Sequence, residues 1–303
     1  LGSFNMATGI NTGVAFNTSR WSPIDLTGLI LNATTLFNTH KARVLADGGI
    51  IPDEAGCLAR FKLLVDNGMY ENIAVSLTPR FGIKLADDGV SVQKIYNLSG
   101  PDFISVSQSG SWLPQWNSAT GSVRVQVNSS AAGYLQSASN ITVQVGNSYV
   151  VSCVGKDTNP TDAVGLTLGA VIGNLPMAYC RIQKTPTQDE AYRYGTRDSA
   201  YTSPSSAGGA VSAVKTPYID YQPSAAFFDV SAGVVTPFDN GRIGTPATAA
   251  TGALYAMRSA TPVIIGNPAF TGSVMQNCDG SFRDFTILSS AQSADALILS
   301  RIA

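Results

Sequence analysis

The sequence contains little charge and almost no histidine. Asp, Glu, Lys and Arg together make up 13% of the 303 residues, whereas roughly 25% is usual in globular domains. The 19 basic and 20 acidic residues nearly cancel, and no cluster of Lys and Arg occurs. Because nucleic acids and anionic membranes both require a basic surface, the sequence predicts neither as a partner.

Membrane, metal and thiol signals are also scarce. No apolar run approaches the roughly 18 residues of a membrane span, and the first residues lack the basic start and apolar core of a signal peptide. Cys57, Cys153, Cys180 and Cys278 form no C-x-x-C pair, which argues against zinc and thioredoxin-type sites. An even count allows two disulfides, but the irregular spacing favours free buried thiols.

Recognisable catalytic groupings are missing. His40 is the only histidine, and no G-x-S-x-G turn accompanies it, so a structural or linker histidine is predicted rather than a general base. Adjacent acidic residues occur at Asp53/Glu54, Asp87/Asp88 and Asp189/Glu190. Adjacent side chains on a strand or loop point apart, whereas glycoside hydrolysis needs two facing carboxylates. The sequence therefore predicts a protein that is not an enzyme.

Short β-like runs fill most of the chain from residue 101 onward. Val123, Val125 and Val127 alternate with polar residues, a period of two that is typical of strands with one buried face. The 29 glycines and 15 prolines provide frequent turns, so an antiparallel sandwich or barrel is predicted. The predicted strands include 103–106, 122–127, 141–145, 149–154, 166–172, 177–182, 225–230 and 254–258.

Three stretches depart from this pattern. Residues 53–66 predict a helix, with Asp53 and Glu54 in the first turn and an apolar stripe behind them. Residues 1–40 follow no single period and are expected to form an extended arm that packs on the main body or on a neighbouring subunit. Residues 185–221 are rich in charge and then in Ser and Gly, which predicts a long excursion that serves as a binding loop or subunit contact.

The last forty-odd residues carry a family likeness. Residues 263–266 indicate a short buried strand, residues 282–287 alternate as a half-buried strand requires, and a short helix with Leu297 and Ile298 on one side follows. The run D-G-S-F-R-D-F-T-I-L at 279–288, with this helical tail, resembles the closing segment of concanavalin A-like, laminin-G-type jelly rolls. That resemblance implies a jelly-roll sandwich.

A second likeness lies further upstream. R-V-L-A-D-G-G at 43–49, L-T-P at 77–79 and K-I-Y-N-L-S-G at 94–100 look like a module that recurs in tail, fibre and other structural proteins of bacteriophages and prophages, where it precedes a laminin-G-like jelly roll. The stretch 80–94 is shorter here than in that module. The expected organisation is a mainly β chain with an N-terminal arm (1–40), a small α/β module (41–104) and a jelly roll with a C-terminal helix (105–303).

This modular order implies a structural component of a phage virion. A fibre, spike or tail protein that presents a lectin-like sandwich to host-surface glycan is expected, and such appendages are usually homotrimers in contact with other virion proteins. A capsid shell or decoration protein that assembles through the N-terminal arm is one alternative. A glycan-cleaving enzyme on the same fold is another.

Candidate binding residues are aromatic or acidic. Flat aromatic faces suit sugar rings, and the residues predicted to bind carbohydrate are Trp112, Trp116, Tyr192, Tyr194 and Tyr201. For the two tryptophans, packing at the edge of the sandwich is the alternative. Laminin-G-like sandwiches sometimes hold Ca²⁺ at one rim, and the resemblance points to Asp229, Asp239 and Asp279 for that role. No EF-hand run occurs, so the sequence itself requires no cofactor.

Overall fold

Strands dominate the computed structural model of this protein, and helices are few. The structure describes residues 32–109, 112–127, 132–142, 148–157, 165–172, 177–185, 188–197, 211–215, 220–248, 260–266 and 278–301. The helices are α1 (Ala33–Ala46), α2 (Glu54–Asp66) and α3 (Ser293–Leu299), with single 3-10 turns at Tyr70–Asn72 and Pro79–Phe81.

The strands are numbered in chain order. They are β1 (Ile73–Leu77), β2 (Ile83–Leu85), β3 (Val92–Ile95), β4 (Phe103–Ser109), β5 (Gln115–Asn117), β6 (Ser122–Val127), β7 (Ala132–Ser137), β8 (Ile141–Thr142), β9 (Tyr149–Asp157), β10 (Gly165–Ile172), β11 (Met177–Thr185), β12 (Gln188–Arg197), β13 (Val211–Lys215), β14 (Gln222–Asp229), β15 (Val234–Asp239), β16 (Arg242–Ile243), β17 (Ala247–Thr248), β18 (Ala260–Thr261), β19 (Val263–Ile265) and β20 (Cys278–Leu288).

Most of these strands form two antiparallel layers that face each other. In the first layer, β20 pairs with β9 along one side and with β6 and then β1 along the other. This layer continues through β14 and β15 beyond β9, and through β5 beyond β6. The second layer runs in the order β13, β12, β11, β10, β19, β7, β4, β3, β2. These layers confirm the predicted mainly β, antiparallel jelly-roll sandwich.

The main core lies between the two layers. Val151 and Phe285 of the first layer pack in one buried cluster with Leu135 and Ile265 of the second, and none of the four is more than 1% exposed. Removing such apolar surface from water is the dominant favourable term in folding. The sandwich is therefore held together chiefly by the inward-facing residues of its strands.

The helices cover part of the outer face of the first layer. Phe61 of α2 and Leu299 of α3 belong to a second buried cluster with Val150 of β9 and Leu288 of β20. Successive residues of a strand point to opposite faces, so Val150 and Leu288 face away from the main core. This part of the protein consequently has three layers, with the helices outermost.

A buried ion pair joins α2 to the same outer face. Arg60 donates from Nη2 to both carboxylate oxygens of Asp284, at 3.3 Å each, and to Thr286 Oγ1 at 2.8 Å. Thr78 donates to Asp284 Oδ2 at 2.6 Å. The side chains of Arg60 and Asp284 are 3% and 12% exposed. We call Arg60, Thr78, Asp284 and Thr286 the polar lock.

The segments predicted as module and jelly roll share one sheet. Strand β1, from the range 41–104, pairs with the C-terminal strand β20, and the polar lock ties the same two segments a second time. Residues of both segments lie in the main core. The predicted boundaries stay predictions, but the described parts of the two ranges pack as one body.

The helix predicted at 53–66 is confirmed by α2. Asp53 is its N-cap, and Oδ1 of Asp53 accepts a hydrogen bond from the backbone N–H of Gly56 at 2.8 Å. Gly68, at φ 64°, follows the last turn in the left-handed region that glycine tolerates. The predicted C-terminal helix is α3, where Gln292 and Asp295 form a capping box.

Residues 33–40, assigned to the extended arm from sequence, instead begin α1. Asn32 caps this helix by accepting hydrogen bonds from the N–H groups of Thr34 and Thr35. Only Phe37, His40 and Val44 of α1 are buried, and so narrow a buried stripe left no clear period in the sequence. Residues 1–31 lie outside the described part of the chain.

The stretch 185–221, predicted as a long excursion, contributes two strands to the second layer. Strand β12 pairs with β11 on one side and with β13 on the other. Tyr192 and Tyr194 of β12 face the core with 0% exposure, and the charged residues between and around them masked this alternation in the sequence. The predicted runs 143–145 and 254–258 fall outside the described residues.

Breaking the polar lock is expected to destabilise the protein strongly. Asp284→Ala leaves the Arg60 guanidinium buried without its carboxylate, a change that typically costs about 3–5 kcal/mol. The free energy of unfolding measured by urea titration should fall by this amount, so that the midpoint moves to a lower urea concentration while the m-value stays unchanged. The double variant R60M/D284L removes both charges and should recover much of the loss.

The control for this experiment is an exposed ion pair. Lys41 donates to Glu54 at 2.6 Å, with side chains 35% and 51% exposed, so Lys41→Gln should change the free energy of unfolding by less than about 1 kcal/mol. If D284A were as stable as K41Q, the polar lock would not be a major contact between α2 and the sheet.

Candidate functional site

The two tryptophans predicted to bind carbohydrate lie at the β5 margin of the sandwich. Trp116 is the middle residue of β5, Trp112 precedes that strand, and both are half-buried. Trp116 packs against the main core. Trp112 lies against the backbone of Gly133, where an added Cβ would come within 2.6 Å of the indole. Each indole is thus held by the protein and still reaches solvent.

Two of the predicted tyrosines join the layers instead. The hydroxyl of Tyr192 accepts a hydrogen bond from the N–H of Gly155 at 2.8 Å, and Tyr194 donates to Ser224 Oγ at 2.7 Å. These bonds run from β12 in the second layer to β9 and β14 in the first. Both rings are fully buried, so the predicted role in sugar binding does not fit their placement. Tyr201 lies outside the described residues.

The three aspartates predicted for Ca²⁺ lie on different parts of the first layer. Asp229 caps the turn after β14, and the N–H of Ala232 lowers the pKa of this carboxyl. Asp239 is at the far end of β15, where burial raises its pKa. Asp279 binds Arg124 through both carboxylate oxygens, at 2.7 and 2.6 Å. Within the described ranges, no three His, Cys, Asp or Glu side chains meet as a metal site requires.

An outward-facing row of polar side chains crosses the first layer away from the helices. The strand registers pair Gln115 with Arg124, Arg124 with Ser281, and Ser281 with Lys156. Directly opposed residues share a face, and a strand spacing of about 4.8 Å makes the row roughly 14 Å long. We call these four residues the polar row. The sequence shows each residue, but it does not show that β5, β6, β20 and β9 are neighbours.

Tyr221 lies across this row and holds two cations. It donates a hydrogen bond to Ser122 Oγ at 2.8 Å, and its hydroxyl lies 2.7 Å from Ser281 Oγ. The ring centroid is 4.0 Å from Cζ of Arg283 and 5.0 Å from Nζ of Lys156, distances at which cations are attracted to an aromatic face. Tyr221 is itself 5% exposed, so it acts as a platform beneath the cations.

Arg124 in the polar row and Arg283 next to it are both fixed by hydrogen bonds. Arg124 is held by the bidentate pair with Asp279, a bond that raises the pKa of Arg124. Arg283 donates from Nε to the carbonyl oxygen of Thr120 at 2.7 Å. Both arginines are half-buried and reach solvent. Planar, pre-oriented donors of this kind suit recognition of oxygen-rich ligands.

Three of the acidic residues considered for glycoside hydrolysis, Asp53, Glu54 and Asp88, make structural contacts. Asp53 caps α2, and Glu54 pairs with Lys41. Asp88 accepts from the side chain and backbone of Ser91, and these bonds lower the pKa of Asp88. The side chains of residues 189 and 190 lie outside the described part.

Cys57, Cys153 and Cys180 are buried free thiols, as the sequence predicts. Burial raises the pKa of Cys57 to about 12. The hydrogen bond to Cys180, together with burial, raises the pKa of Cys153. Thiolate nucleophiles need a lowered pKa, so Cys57 and Cys153 are suited to packing. The Cys278 side chain is outside the description. None of the described helices has the length and apolar character of a membrane span.

Comparisons with known proteins give a distant likeness of fold. No family model matches the chain, and no curated protein matches it. The botulinum neurotoxin serotype G binding domain is 10% identical, with a TM-score of 0.46 and coverage of 75% of this chain and 50% of that one. The botulinum neurotoxin DC binding domain in complex with SialylT is 11% identical, with a TM-score of 0.44, covering 76% and 51%. Bacillus licheniformis β-glucanase is 9% identical, with a TM-score of 0.37, covering 70% and 97%.

This chain therefore spans about half the length of the neurotoxin domains that it matches. At these identities and TM-scores, neither the ligands nor the activities of those proteins transfer to this chain.

His40 is a structural residue of α1, as the sequence predicts. It is 3% exposed; Nε2 lies 2.8 Å from the carbonyl oxygen of Phe81, and Nδ1 lies 3.3 Å from Nη2 of Arg43. A neutral ring that donates from Nε2 and accepts at Nδ1 satisfies both contacts. Burial lowers the pKa of His40.

Stability is expected to fall as the pH drops below 6.5, the usual pKa of histidine. The unfolded chain takes up a proton there, whereas folded His40 resists it, so acidification favours unfolding by at most about 1.4 kcal/mol per pH unit. Above that pH His40 is neutral in both states and adds no pH dependence. Urea midpoints measured from pH 5 to 8 test this, with His40→Gln, which does not titrate, as the comparison. Parallel profiles for the two proteins would contradict it.

Proposed function

We propose that this chain is a non-catalytic attachment module that binds a surface glycan. The observation that carries the proposal is the β5 margin, where Trp112 and Trp116 each keep a half-buried indole. Trp116 is opposite Val123 of the main core, so its side chain lies on the inner face of β5, whereas Gln115 and Arg124 of the polar row face outward. Aromatic faces accept the apolar side of a sugar ring, and the two indoles are the groups that offer such faces here.

We propose further that the module belongs to a bacteriophage virion, as part of a fibre, spike or tail protein. The support for this is the resemblance of residues 41–104 to a module of phage structural proteins that precedes a laminin-G-like jelly roll, together with the resemblance of residues 279–288 to the closing segment of such jelly rolls. The same resemblance favours a homotrimer that contacts other virion proteins. The polar lock adds a physical reason for the two motifs to occur together, since Thr78 of L-T-P binds Asp284 of the closing run.

Trp116→Ala is expected to weaken glycan binding by at least tenfold, which corresponds to about 1.4 kcal/mol. A glycan array with the full chain identifies the ligand, and isothermal titration calorimetry measures the wild type, W116A and W112A. Ile243, 64% exposed on β16, supplies the control: Ile243→Ala removes an exposed apolar side chain from another strand and should not change the affinity. Unchanged affinity in both tryptophan variants would place the glycan elsewhere, and no binding on the array would contradict the proposed function.

The oligomeric state of the protein distinguishes a fibre or spike head from a capsid or decoration protein. Sedimentation equilibrium of the full chain and of a chain lacking residues 1–31 should give a trimer in both cases if the protein is a fibre or spike head. A monomer, or large shells that form only when residues 1–31 are present, would contradict that role and favour a capsid or decoration protein.

A further inference from the structure

Several buried polar atoms beside the polar lock have no partner in the protein. Nε and Nη1 of Arg60 and the Oγ atoms of Ser76 and Ser152 are all inaccessible to solvent and make no hydrogen bond. The three residues are 4%, 0% and 2% exposed. An unsatisfied buried polar group costs about 1–3 kcal/mol, and most such groups in native proteins have a partner, either protein or ordered water. The hydrogen-bonding capacity of these four atoms is therefore not satisfied by the protein itself.

The strand register brings these atoms to one place. Ser76 of β1 and Ser152 of β9 are both directly opposite Thr286 of β20, and opposed Cβ atoms lie about 4.5–5.5 Å apart. Nη2 of Arg60 donates to Thr286 Oγ1 at 2.8 Å. The guanidinium therefore lies over the middle of a row of three hydroxyl side chains, with a serine on each side.

This row faces α2 rather than the main core. Val151 and Ile287, the sequence neighbours of Ser152 and Thr286, belong to the main core, and alternate residues of a strand point to opposite faces. The hydroxyl groups consequently point into the space between the first layer and α2, the helix that carries Arg60.

We propose that this space binds two internal waters, one on the Ser76 side of Thr286 and one on the Ser152 side, which accept hydrogen bonds from Nε and Nη1 of Arg60 and bond to the nearer serine hydroxyl. Buried waters make about two to four hydrogen bonds to otherwise unsatisfied groups, and one guanidinium nitrogen with one serine hydroxyl supplies two for each water. The short serine side chains leave more room on either side of Thr286 than larger residues would.

Charge balance selects water over an anion. Asp284 already neutralises Arg60 at 3.3 Å, so a buried anion would add an uncompensated negative charge, which is costly in a low-dielectric interior. Water is neutral, accepts from the guanidinium and both donates to and accepts from a serine hydroxyl. The two waters then link Arg60 of α2 to the strands β1 and β9 through hydrogen bonds.

A crystal structure of the full chain at about 1.5 Å tests the site directly. The expected result is a water within about 2.7–3.2 Å of Nε or Nη1 of Arg60 and of at least one serine Oγ. An empty site, or a rearrangement in which these protein atoms bind each other, would overturn the proposal. An anomalous peak at the site in crystals grown with bromide would show an anion site, and would overturn it too.

Oxygen-17 magnetic relaxation dispersion tests the same site in solution. The single variants S76A and S152A and the double variant S76A/S152A should lose the contribution of at least one long-lived water that the wild type shows. Ser137→Ala is the matched control: Ser137 is a buried serine, 3% exposed, whose Oγ already accepts from the N–H of Val263 at 3.1 Å, so this variant should keep the wild-type amplitude. A wild-type amplitude in all three test variants would contradict the water site.

Discussion

The buried pair of Arg60 and Asp284 is the contact that fixes α2 on the outer face of the first layer. It joins a helix near the start of the described chain to its last strand, and a buried charge must keep its partner. With α2 held there, Phe61 and Leu64 cover the apolar end of the first layer at Leu288. The helices thus occupy one part of the outer face and leave the polar row on another part.

One irregularity in the pairing of β20 separates the part of the outer face under α2 from the part that carries the polar row. The register with β9 shifts between Phe282 and Asp284, and a shift of this kind re-aims side chains. Arg283 lies over Tyr221, whereas Asp284 reaches Arg60 under α2. Arg283 and Asp284 are consecutive and both lie on the outer face, but they contact different parts of it. Phe282 and Phe285 on either side of them remain in the main core.

Aromatic residues serve several purposes in this sandwich. Tyr192 and Tyr194 cross between the layers and bond to groups on the opposite sheet, and Tyr221 supports two cations from below. Among the candidate residues that the structure describes, only Trp112 and Trp116 at the β5 margin keep a half-buried aromatic ring.

The sequence by itself determined the features that depend on neighbours along the chain. The bounds of α2 follow from Asp53 as N-cap and Gly68 after the last turn, and the alternation in β6 predicts its one buried face. These signals are local, because capping and side-chain direction repeat within a few residues. They were enough to predict a mainly β antiparallel sandwich, although α1, with a narrow buried stripe, and β12, with charge beside its tyrosines, were missed.

Only the tertiary structure decided which strands lie side by side, and with them the polar row, the polar lock and the burial of Tyr192. Periodicity shows that a strand has an apolar face, but it contains no information on which distant strand will pair with it. Arg124, Ser281 and Lys156 are unremarkable residues until β6, β20 and β9 pair in register. The physical reason is that strand pairing is a long-range choice, made by the whole core at once.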